Sequence, residues 1–600
     1  MCGIVGYSGK SDAVSPVLEG LSRLEYRGYD SAGISMNIDG KLCIFKKEGK
    51  LDNLKNFLKE KSELSSTIGI GHTRWATHGK VNDTNAHPHG NEDFSIVHNG
   101  IIENANVLRE ELKQKGYQFK SETDSETFLV KLSDEFKQSK DIEQAIIDTF
   151  KSIEGNSAFV VIAKNSHKIY SIKRSAPLVC GVNEESGDVY VSSDPYALIG
   201  FTTKIYFPGD SVLCIADHRK ANNHYSFLDL NRNETKDYTI QQKQMSLNTV
   251  SKGKYEHFML KEIFEQPELV NKLFSIYSED ITSLNEMTKS RPEMVHIIAC
   301  GTALHAGLVI KDFLERKNRI RVNSDFASEF RYKEPLICKK DVGLFISQSG
   351  ETADTLACQE LCVAQDLKTY SIVNVEGSTL YRSCDYNLLL HAGAEIGVAS
   401  TKAFTQMALV GYILSNAYLD EPKDLKSEFE LLSQAITLIL NREEEIKKIA
   451  RDIYNYKGFI FTGRREQYPI ALEGALKLKE IAYVHAEGYA AGELKHGPIA
   501  LFDESMVNIA IVTKDLYEKT LSNAQEVKAR KGVMVILGEG EDSELSEISD
   551  FYFGIDYLGL TDLKPLVTNV VLQLLSYHIA KFKGTDIDKP RNLAKSVTVE

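Results

Sequence analysis

The chain is poor in several features that would place it in a special class. Among 600 residues there is a single tryptophan, and the nine cysteines are scattered with no Cys-x-x-Cys pair. That scatter argues against a disulfide framework or a zinc ribbon and fits a reducing cytosol. No apolar run is long enough to span a bilayer, and no N-terminal apolar stretch reads as a signal peptide. A soluble, cytoplasmic protein is the expectation. Positive charge is in deficit, with 71 Lys and Arg against 84 Asp and Glu and a net charge of −13. The deficit argues against nucleic acid as the main partner, and an anionic substrate would need a locally built site. Six hundred residues exceed what one core holds, so three or four domains are expected.

What is present begins at Met1-Cys2-Gly3. A small second residue permits removal of the initiator, which would leave Cys2 with a thiol and a free α-amine. The amine titrates near neutrality, about pH 8 unperturbed. Nucleophile and base then belong to one residue, the logic of an N-terminal-nucleophile hydrolase. Read by itself, the tripeptide fits a trimmed terminus with a chance cysteine better than a nucleophile. Residues 2–10 read as a strand ending in a glycine-bounded turn, and Val14, Val17, Leu18, Leu21 and Leu24 have helical spacing. Polar, glycine-rich stretches follow at 25–33, 69–79, 85–89 and 98–104. Thr123-Asp124-Ser125-Glu126 opens a helix with Asp124 or Ser125 near its N-cap. Histidines 72, 78, 87 and 89 invite a metal reading, but their spacing matches no zinc pattern and no cysteine or carboxylate pair accompanies them. A glutamine-binding thiol site needs a guanidinium for the α-carboxylate, an acid for the α-ammonium and donors for an oxyanion. Arg74, Asp124 and the Asn99-Gly100 pair supply those groups.

Four runs carry a family resemblance: Cys2 to Gly6, Glu25-Tyr26-Arg27-Gly28-Tyr29-Asp30-Ser31, His72-Thr73-Arg74-Trp75-Ala76-Thr77-His78-Gly79 and His98-Asn99-Gly100-Ile101. They resemble class II glutamine amidotransferases, and the second and third resemble one branch, the glutamine–fructose-6-phosphate aminotransferases. The resemblance implies that Cys2 attacks the glutamine amide and that Arg74, Trp75, Thr77, His78 and Asp124 hold the amino acid. Asn99 and the Gly100 backbone N–H would form the oxyanion hole. Alternating segments at 157–163, 168–173, 188–192 and 210–216 read as strands completing a layered α/β domain over residues 1–216. The polar stretch 217–252, with few apolar periods, reads as an interdomain segment.

From Tyr255 the texture changes to helix–strand alternation. Buried strands at 294–300 and 342–346 run into Gly301-Thr302 and into Ser347-Gln348-Ser349-Gly350-Glu351-Thr352, with a helix beginning near Thr352. Strand, hydroxyl-rich loop and helix N-terminus make an anion cradle. Without a Walker-type lysine it suits a phosphomonoester better than a nucleoside triphosphate, and an ordinary capped helix would look the same. The scheme recurs about 165 residues on, at strands 457–462 and 507–513, without the Ser-Gln-Ser-Gly loop. This is similar to a duplicated sugar-isomerase (SIS) domain, here 253–430 and 431–590, with only the first expected to bind sugar phosphate through such a loop. On the helix from Pro469, a favoured first helical residue, Glu473, Lys477 and Glu480 share one face. By itself that stripe reads as solvated ion pairs.

The same family's wording covers this half too. The run from Pro469 to Glu480 resembles its catalytic helix, Glu493-Leu494-Lys495-His496-Gly497-Pro498 its histidine loop, and Arg591 to Glu600 its C-terminal loop. The resemblance implies Glu480 as proton carrier between C1 and C2, Lys477 as stabiliser of the enediolate, His496 as acid/base for ring opening and Lys595 as the amine for a carbonyl adduct. Thr302, Ser347, Gln348, Ser349, Thr352, Val398, Ser400 and Ala594 would hold the sugar phosphate. Arg27, Trp75, Ala594 and Val597 would line an ammonia path. The implied architecture is α/β: an N-terminal-nucleophile αββα sandwich, then two doubly wound SIS domains and a terminal loop at 591–600. The implied reaction converts fructose 6-phosphate and glutamine to glucosamine 6-phosphate and glutamate, opening hexosamine synthesis, in a homodimer with no metal or organic cofactor. Ala303, where the family has serine, puts one hydroxyl contact in doubt. A sugar-phosphate sensor would leave Cys2, Glu480 and Lys595 idle. An amidotransferase of purine or asparagine synthesis would need a diphosphate-binding or ATP-pyrophosphatase domain where the SIS pair stands.

Overall fold

The computed structural model describes residues 2–25, 28–61, 64–76, 79–202, 204–220, 223–242 and 251–598. The chain divides into two compact units, Met1–Thr249 with Ser596–Glu600, and Val250–Lys595.

The first unit is built on two antiparallel sheets. In the eight-stranded sheet the order is Tyr238–Gln242, Lys204–Pro208, Val179–Val182, Val189–Ser192, Gly3–Ser8, Ile68–Arg74, Ser31–Ile38 and Lys41–Glu48. In the six-stranded sheet it is Tyr225–Leu228, Leu213–Asp217, Lys168–Arg174, Ser157–Ala163, Phe94–Gly100 and His89–Gly90. Strands such as Ser157–Ala163 are buried on both faces, which is why their sequence runs apolar rather than alternating. Ile4, Ile70, Val97, Val160 and Ile162 pack with Val191 in a core that draws on both sheets. The helices Val14–Leu24 and Leu51–Lys59 cover the outer face of the first sheet through Val17, Leu21, Leu54 and Leu58. Ala105–Gln114, Ser125–Ser139 and Ile142–Ser152 cover the second through Leu108, Phe128, Leu132 and Ile146. The result is helix, sheet, sheet, helix. The strand Gly3–Ser8 pairs with Ile68–Arg74 in the register Gly3↔Thr73, so Cys2 emerges beside Arg74 and Trp75.

The stretch 217–252 departs from the interdomain reading. Tyr225–Leu228 and Tyr238–Gln242 are the outermost strands of the two sheets. Tyr225 and Phe227 point inward and are buried, and Tyr238 packs beside them. Two inward aromatics suffice to seat a short edge strand whose other residues are polar.

The second unit holds two five-stranded parallel sheets. The first runs Arg321–Phe326, Met294–Ala299, Val342–Ser347, Lys368–Val373, Tyr386–Leu389, and the second runs His485–Ala490, Gly458–Gly463, Met506–Val512, Val533–Glu539, Phe551–Ile555. Numbered along each repeat, both orders are 2-1-3-4-5, the doubly wound arrangement in which ligands bind at the carboxyl ends of the strands near the switch between strands 1 and 3. One apolar core takes residues from both repeats, including Val309, Phe404, Met407, Leu478, Val570 and Leu574. The long helix Lys564–Lys583 is buried without a break from Lys564 to Ala580.

Candidate active sites

Cys2 is half-buried at the head of its strand. The Trp75 backbone N–H donates to its Sγ at 3.1 Å, and the Sγ lies 3.4 Å from the Trp75 carbonyl oxygen. Burial raises the thiol above its ordinary range, while the Trp75 N–H and Arg74 pull the other way. Asn99 Nδ2 donates to the Cys2 carbonyl at 3.0 Å. The next residue, Gly100, has φ +132°, and a Cβ there would lie 2.0 Å from the Asn156 carbonyl oxygen. Only glycine fits this bend, which brings a backbone N–H next to the Asn99 amide. Arg74 is buried and reaches the Lys80 carbonyl at 3.3 Å, with the Asp30 and Asp124 carboxylates and the Cys2 thiol in its surroundings. Asp124 accepts from the backbone N–H groups of Ile102 and Ser125, both at 2.9 Å, so it caps the helix Ser125–Ser139. Asp30 accepts from the Ala76 N–H at 2.9 Å and pins the turn after Arg74. A thiol, an arginine, a buried carboxylate and an amide–glycine pair are thereby held on four strand or helix ends.

Beneath them lies a layer of buried histidines. His72 Nε2 is 3.0 Å from the His98 carbonyl and 3.1 Å from Asn99 Oδ1. Ser125 Oγ lies 2.8 Å from both His87 Nε2 and His98 Nδ1, and Thr123 Oγ1 is 2.9 Å from His89 Nε2. Burial lowers His72 to about 3 and holds His87 and His89 well below the usual imidazole range. The rings are neutral spacers, and among the described residues no His, Cys, Asp and Glu group suits a metal ion.

In the second unit the loop after Val342–Ser347 shapes itself with its own hydroxyls. Ser347 Oγ accepts from the Gly350 N–H at 3.0 Å and meets Thr352 Oγ1 at 3.2 Å, and Ser349 Oγ accepts from the Glu351 N–H at 3.1 Å. Gly350 has φ +66°, and a Cβ would fall 2.1 Å from Ser378 Oγ. Thr352 stands at the N-cap of Ala353–Ala364 without a side-chain capping bond, which leaves the helix end open to an anion. Gln348 is half-buried and its carbonyl accepts from the Asn374 N–H at 3.2 Å. At the corresponding strand end of the second repeat, Glu539 accepts from the Lys514 N–H at 2.9 Å, and Lys564 bridges Glu539 at 3.0 Å and Asp515 at 3.3 Å. Carboxylates occupy that end, with no hydroxyl cradle.

The helix Tyr468–Ala482 carries the acid–base cluster. Lys477, wholly buried, sits 2.6 Å from Glu480 Oε2 and 3.5 Å from Glu473 Oε1. The solvated-stripe reading is therefore wrong. Glu473 is also buried and binds Thr302 Oγ1 at 3.0 Å and His305 Nδ1 at 2.8 Å. It thus ties the helix Tyr468–Ala482 to the end of strand Met294–Ala299. Burial raises the Glu480 carboxyl against the pull of Lys477. A carboxyl whose charged form is opposed by burial and supported by an adjacent ammonium is a candidate for proton transfer.

The tail enters this unit as well. Asp588 accepts from the N–H groups of Phe258 and Met259 at 2.9 and 3.0 Å, Val398 N–H donates to the Asp588 carbonyl at 3.1 Å, and Arg591 N–H donates to Tyr483 OH at 2.8 Å. So anchored, Lys595 buries its ammonium against Glu395 and donates to the Gly397 carbonyl at 2.8 Å. Glu395 also accepts from the N–H groups of Thr401 and Ala403, each at 2.9 Å, and from Ser400 Oγ at 3.0 Å. Burial would raise it, but Lys595 and those donors hold it at about 2. Glu262 clamps the same loop, accepting from Ile396 and Gly397 N–H at 2.5 and 3.1 Å. The Lys595 charge is felt at Glu480 and the Glu395 charge at Lys477.

Of the sequence-derived candidates, Cys2, Trp75, Asn99 and Gly100 stand together with Arg74 and Asp124, and Thr302, Lys477 and Glu480 form a second group. Lys595 and Ser400 meet at Glu395. His496 ends the short turn Ala491–His496, exposed and without a hydrogen bond among the described residues. Ala594 is half-buried and Val597 is 54% exposed. Arg27, Thr77 and His78 lie outside the described residues. Sequence reasoning missed His72, His305, Glu395 and Glu262 as parts of these sites. Only their polarity within glycine-rich or apolar surroundings could have flagged them.

A glutamine amidotransferase domain model matches residues 72–200, and an SIS domain model matches 290–417 and 452–581. Relatives named glutamine–fructose-6-phosphate aminotransferase [isomerizing] include one from Clostridium acetobutylicum, 42% identical over 100% of both chains. Another, from Aquifex aeolicus, is 43% identical, again over 100% of both. Among solved structures, the C-terminal domain of glucosamine-fructose-6-phosphate aminotransferase from Francisella tularensis aligns with a TM-score of 0.52 and 38% identity, covering 57% of this chain and 99% of that one.

Proposed function

Because this chain belongs to the glutamine–fructose-6-phosphate aminotransferase (isomerizing) family, we propose that its two clusters are the two half-reactions of that chemistry. The enzyme makes glucosamine 6-phosphate and glutamate from fructose 6-phosphate and glutamine. At the first cluster Cys2 sulfur attacks the side-chain amide carbon of glutamine, held by Arg74 and Asp124. The negative charge forming on the carbonyl oxygen is met by Asn99 Nδ2–H and the Gly100 N–H. Ammonia leaves, and water hydrolyses the thioester to glutamate. With the initiator removed, the Cys2 amine would carry the thiol proton to the leaving nitrogen.

At the second cluster the loop 347–352 and its helix end hold the phosphate, and His496 assists ring opening. The Lys595 amine condenses with the C2 carbonyl and water leaves. Ammonia then displaces the lysine to give the C2 imine, and Glu480 moves one proton from C1 to C2 while Lys477 balances the negative charge on the C1 oxygen of the enolamine. The observation that carries this reading is the burial of the Lys595 ammonium against Glu395, within electrostatic reach of Glu480. A lysine kept only for solubility would stand in water. The reading includes a cytoplasmic homodimer that needs no metal or organic cofactor. Incubating the purified protein with glutamine and fructose 6-phosphate, with glutamate and hexosamine phosphate both measured, tests it. Equal formation of the two products supports it, and glutamate alone would confine the activity to the first unit.

A further inference from the structure

We infer that His72 is the positioning residue of the oxyanion site, and that its Nε2–H sets which way the Asn99 amide faces. The inference rests on the glutaminase reading of Cys2 and Asn99. His72 Nε2 lies 3.0 Å from the His98 carbonyl oxygen and 3.1 Å from Asn99 Oδ1. A backbone carbonyl can only accept, so Nε2 carries the proton. The Asn99 amide is then read from both ends. Turned over, its NH2 would confront the His72 N–H, donor to donor, and its oxygen would confront the Cys2 carbonyl that Nδ2 now reaches at 3.0 Å. Both ends forbid the flip. With one Nδ2 hydrogen spent on the Cys2 carbonyl, the second is left for the oxyanion.

The rest of the layer keeps the ring in place. His72 packs on the His87 ring at 4.4 Å between centroids. His87 is tied through Ser125 Oγ to His98, the residue whose carbonyl His72 also holds. Ser125 N–H in turn donates to Asp124, the candidate acceptor of the substrate ammonium. The buried histidines therefore join the oxyanion donor to the amino-acid end of the site. His72 touches no reacting atom; it acts through Asn99. Its effect belongs to the transition state, so its loss lowers kcat and leaves KM nearly unchanged.

Two substitutions separate positioning from bulk. His72→Gln places an amide N–H near the position of Nε2, and His72→Asn places one near Nδ1. Loss of one oxyanion donor costs about 100- to 1,000-fold in kcat, and an unfixed amide still samples the right orientation. His72→Asn is therefore expected to lose roughly 10- to 100-fold in glutaminase kcat, with KM within about threefold. His72→Gln should recover most of it. Alkylation of Cys2 by iodoacetamide, followed by mass spectrometry of its peptide, forms no oxyanion and should proceed at the unaltered rate in both variants. Glutamate protection against that alkylation should also persist. Unchanged kcat in His72→Asn overturns the inference, and so does joint loss of kcat, alkylation and glutamate protection, which marks a collapsed site. If neither variant folds, the ring nitrogen shifts of His72 in the unaltered protein decide: a protonated Nδ1 with bare Nε2 overturns it. An unaltered protein without any glutaminase activity refutes the functional reading instead.

Discussion

Glu395→Gln puts the second site to a quantitative test. The carboxylate is fully buried and receives two backbone N–H groups on Oε1, while Oε2 faces Ser400 Oγ and the Lys595 ammonium. Glutamine keeps the size and the Oε1 acceptor. At Oε2 it places an NH2 group against an ammonium that is itself nearly inaccessible, its side chain 4% exposed. Removing one partner of a buried pair costs about 3–5 kcal/mol, because the other charge is left without compensation. The Gly397 carbonyl, 2.8 Å from Nζ, offsets part of this. A loss of about 3 kcal/mol or more is expected, with the tail released. Urea unfolding followed through the second unit gives the stability change. The yield of hexosamine phosphate from fructose 6-phosphate should fall by about 100-fold or more, equivalent to roughly 3 kcal/mol in the barrier. Glutamine hydrolysis without sugar should continue. A variant that loses under about 1 kcal/mol, the ordinary yield of a surface pair, and still converts sugar would show that Glu395 does not hold Lys595.

Other consequences can be checked alongside. Gly100→Ala forces a side chain into φ +132° with a contact of 2.0 Å, a strain of about 1–3 kcal/mol. Glutaminase activity should vanish while ammonia-independent sugar isomerisation survives, and a glutaminase of normal rate would refute the assigned bend. Ser347→Ala with Ser349→Ala removes both hydroxyls that shape the cradle. Each hydrogen bond to a charged group is worth about 1.5–3 kcal/mol, so calorimetry should find fructose 6-phosphate bound at least tenfold more weakly, and unchanged affinity would reduce the loop to a helix cap. Glu262 is raised by burial and then by Glu395 to about 8, above the unfolded value of about 4.3. Between those values the folded state holds a proton that the unfolded state has lost. The stabilising contribution is thus whole below about pH 4.3 and fades as pH rises through about 8. Glu262→Gln lacks that dependence, so its melting temperature should gain on the unaltered protein from pH 5 to 8; a constant difference would contradict the shift.

Much of the architecture could be read without coordinates because its strands are self-announcing. Ser157–Ala163 and Val342–Ser347 are unbroken apolar runs closed by polar turns, and Val14–Leu24 repeats leucine and valine at helical intervals. Tyr225–Leu228 was hidden because an edge strand needs only two inward residues, and its polar neighbours resemble a linker. The thiol site was partly legible, since Arg74, Asn99 and Asp124 are the residue types that a glutamine needs. His72 shows in the sequence only as a motif residue and a poor metal ligand, because spacing cannot reveal that its ring faces the Asn99 oxygen. Glu395 sits in a loop with no periodicity, and its partner Lys595 is 200 residues away. A tail that mixes charged, polar and small apolar residues without periodicity looks frayed by composition. Its order comes from Asp588 capping the helix Phe258–Phe264 and from Tyr483 receiving Arg591, contacts that no local pattern encodes.

In the proposed reaction, nitrogen released at Cys2 becomes the amino group of the sugar. Glutamine labelled with nitrogen-15 at the side-chain amide, supplied with fructose 6-phosphate and an excess of unlabelled ammonium, tests it by the mass of the hexosamine phosphate formed. Labelled product is expected in step with glutamate release, with no label transfer in Cys2→Ala. Product carrying unlabelled nitrogen, or label transfer that survives Cys2→Ala, would contradict it.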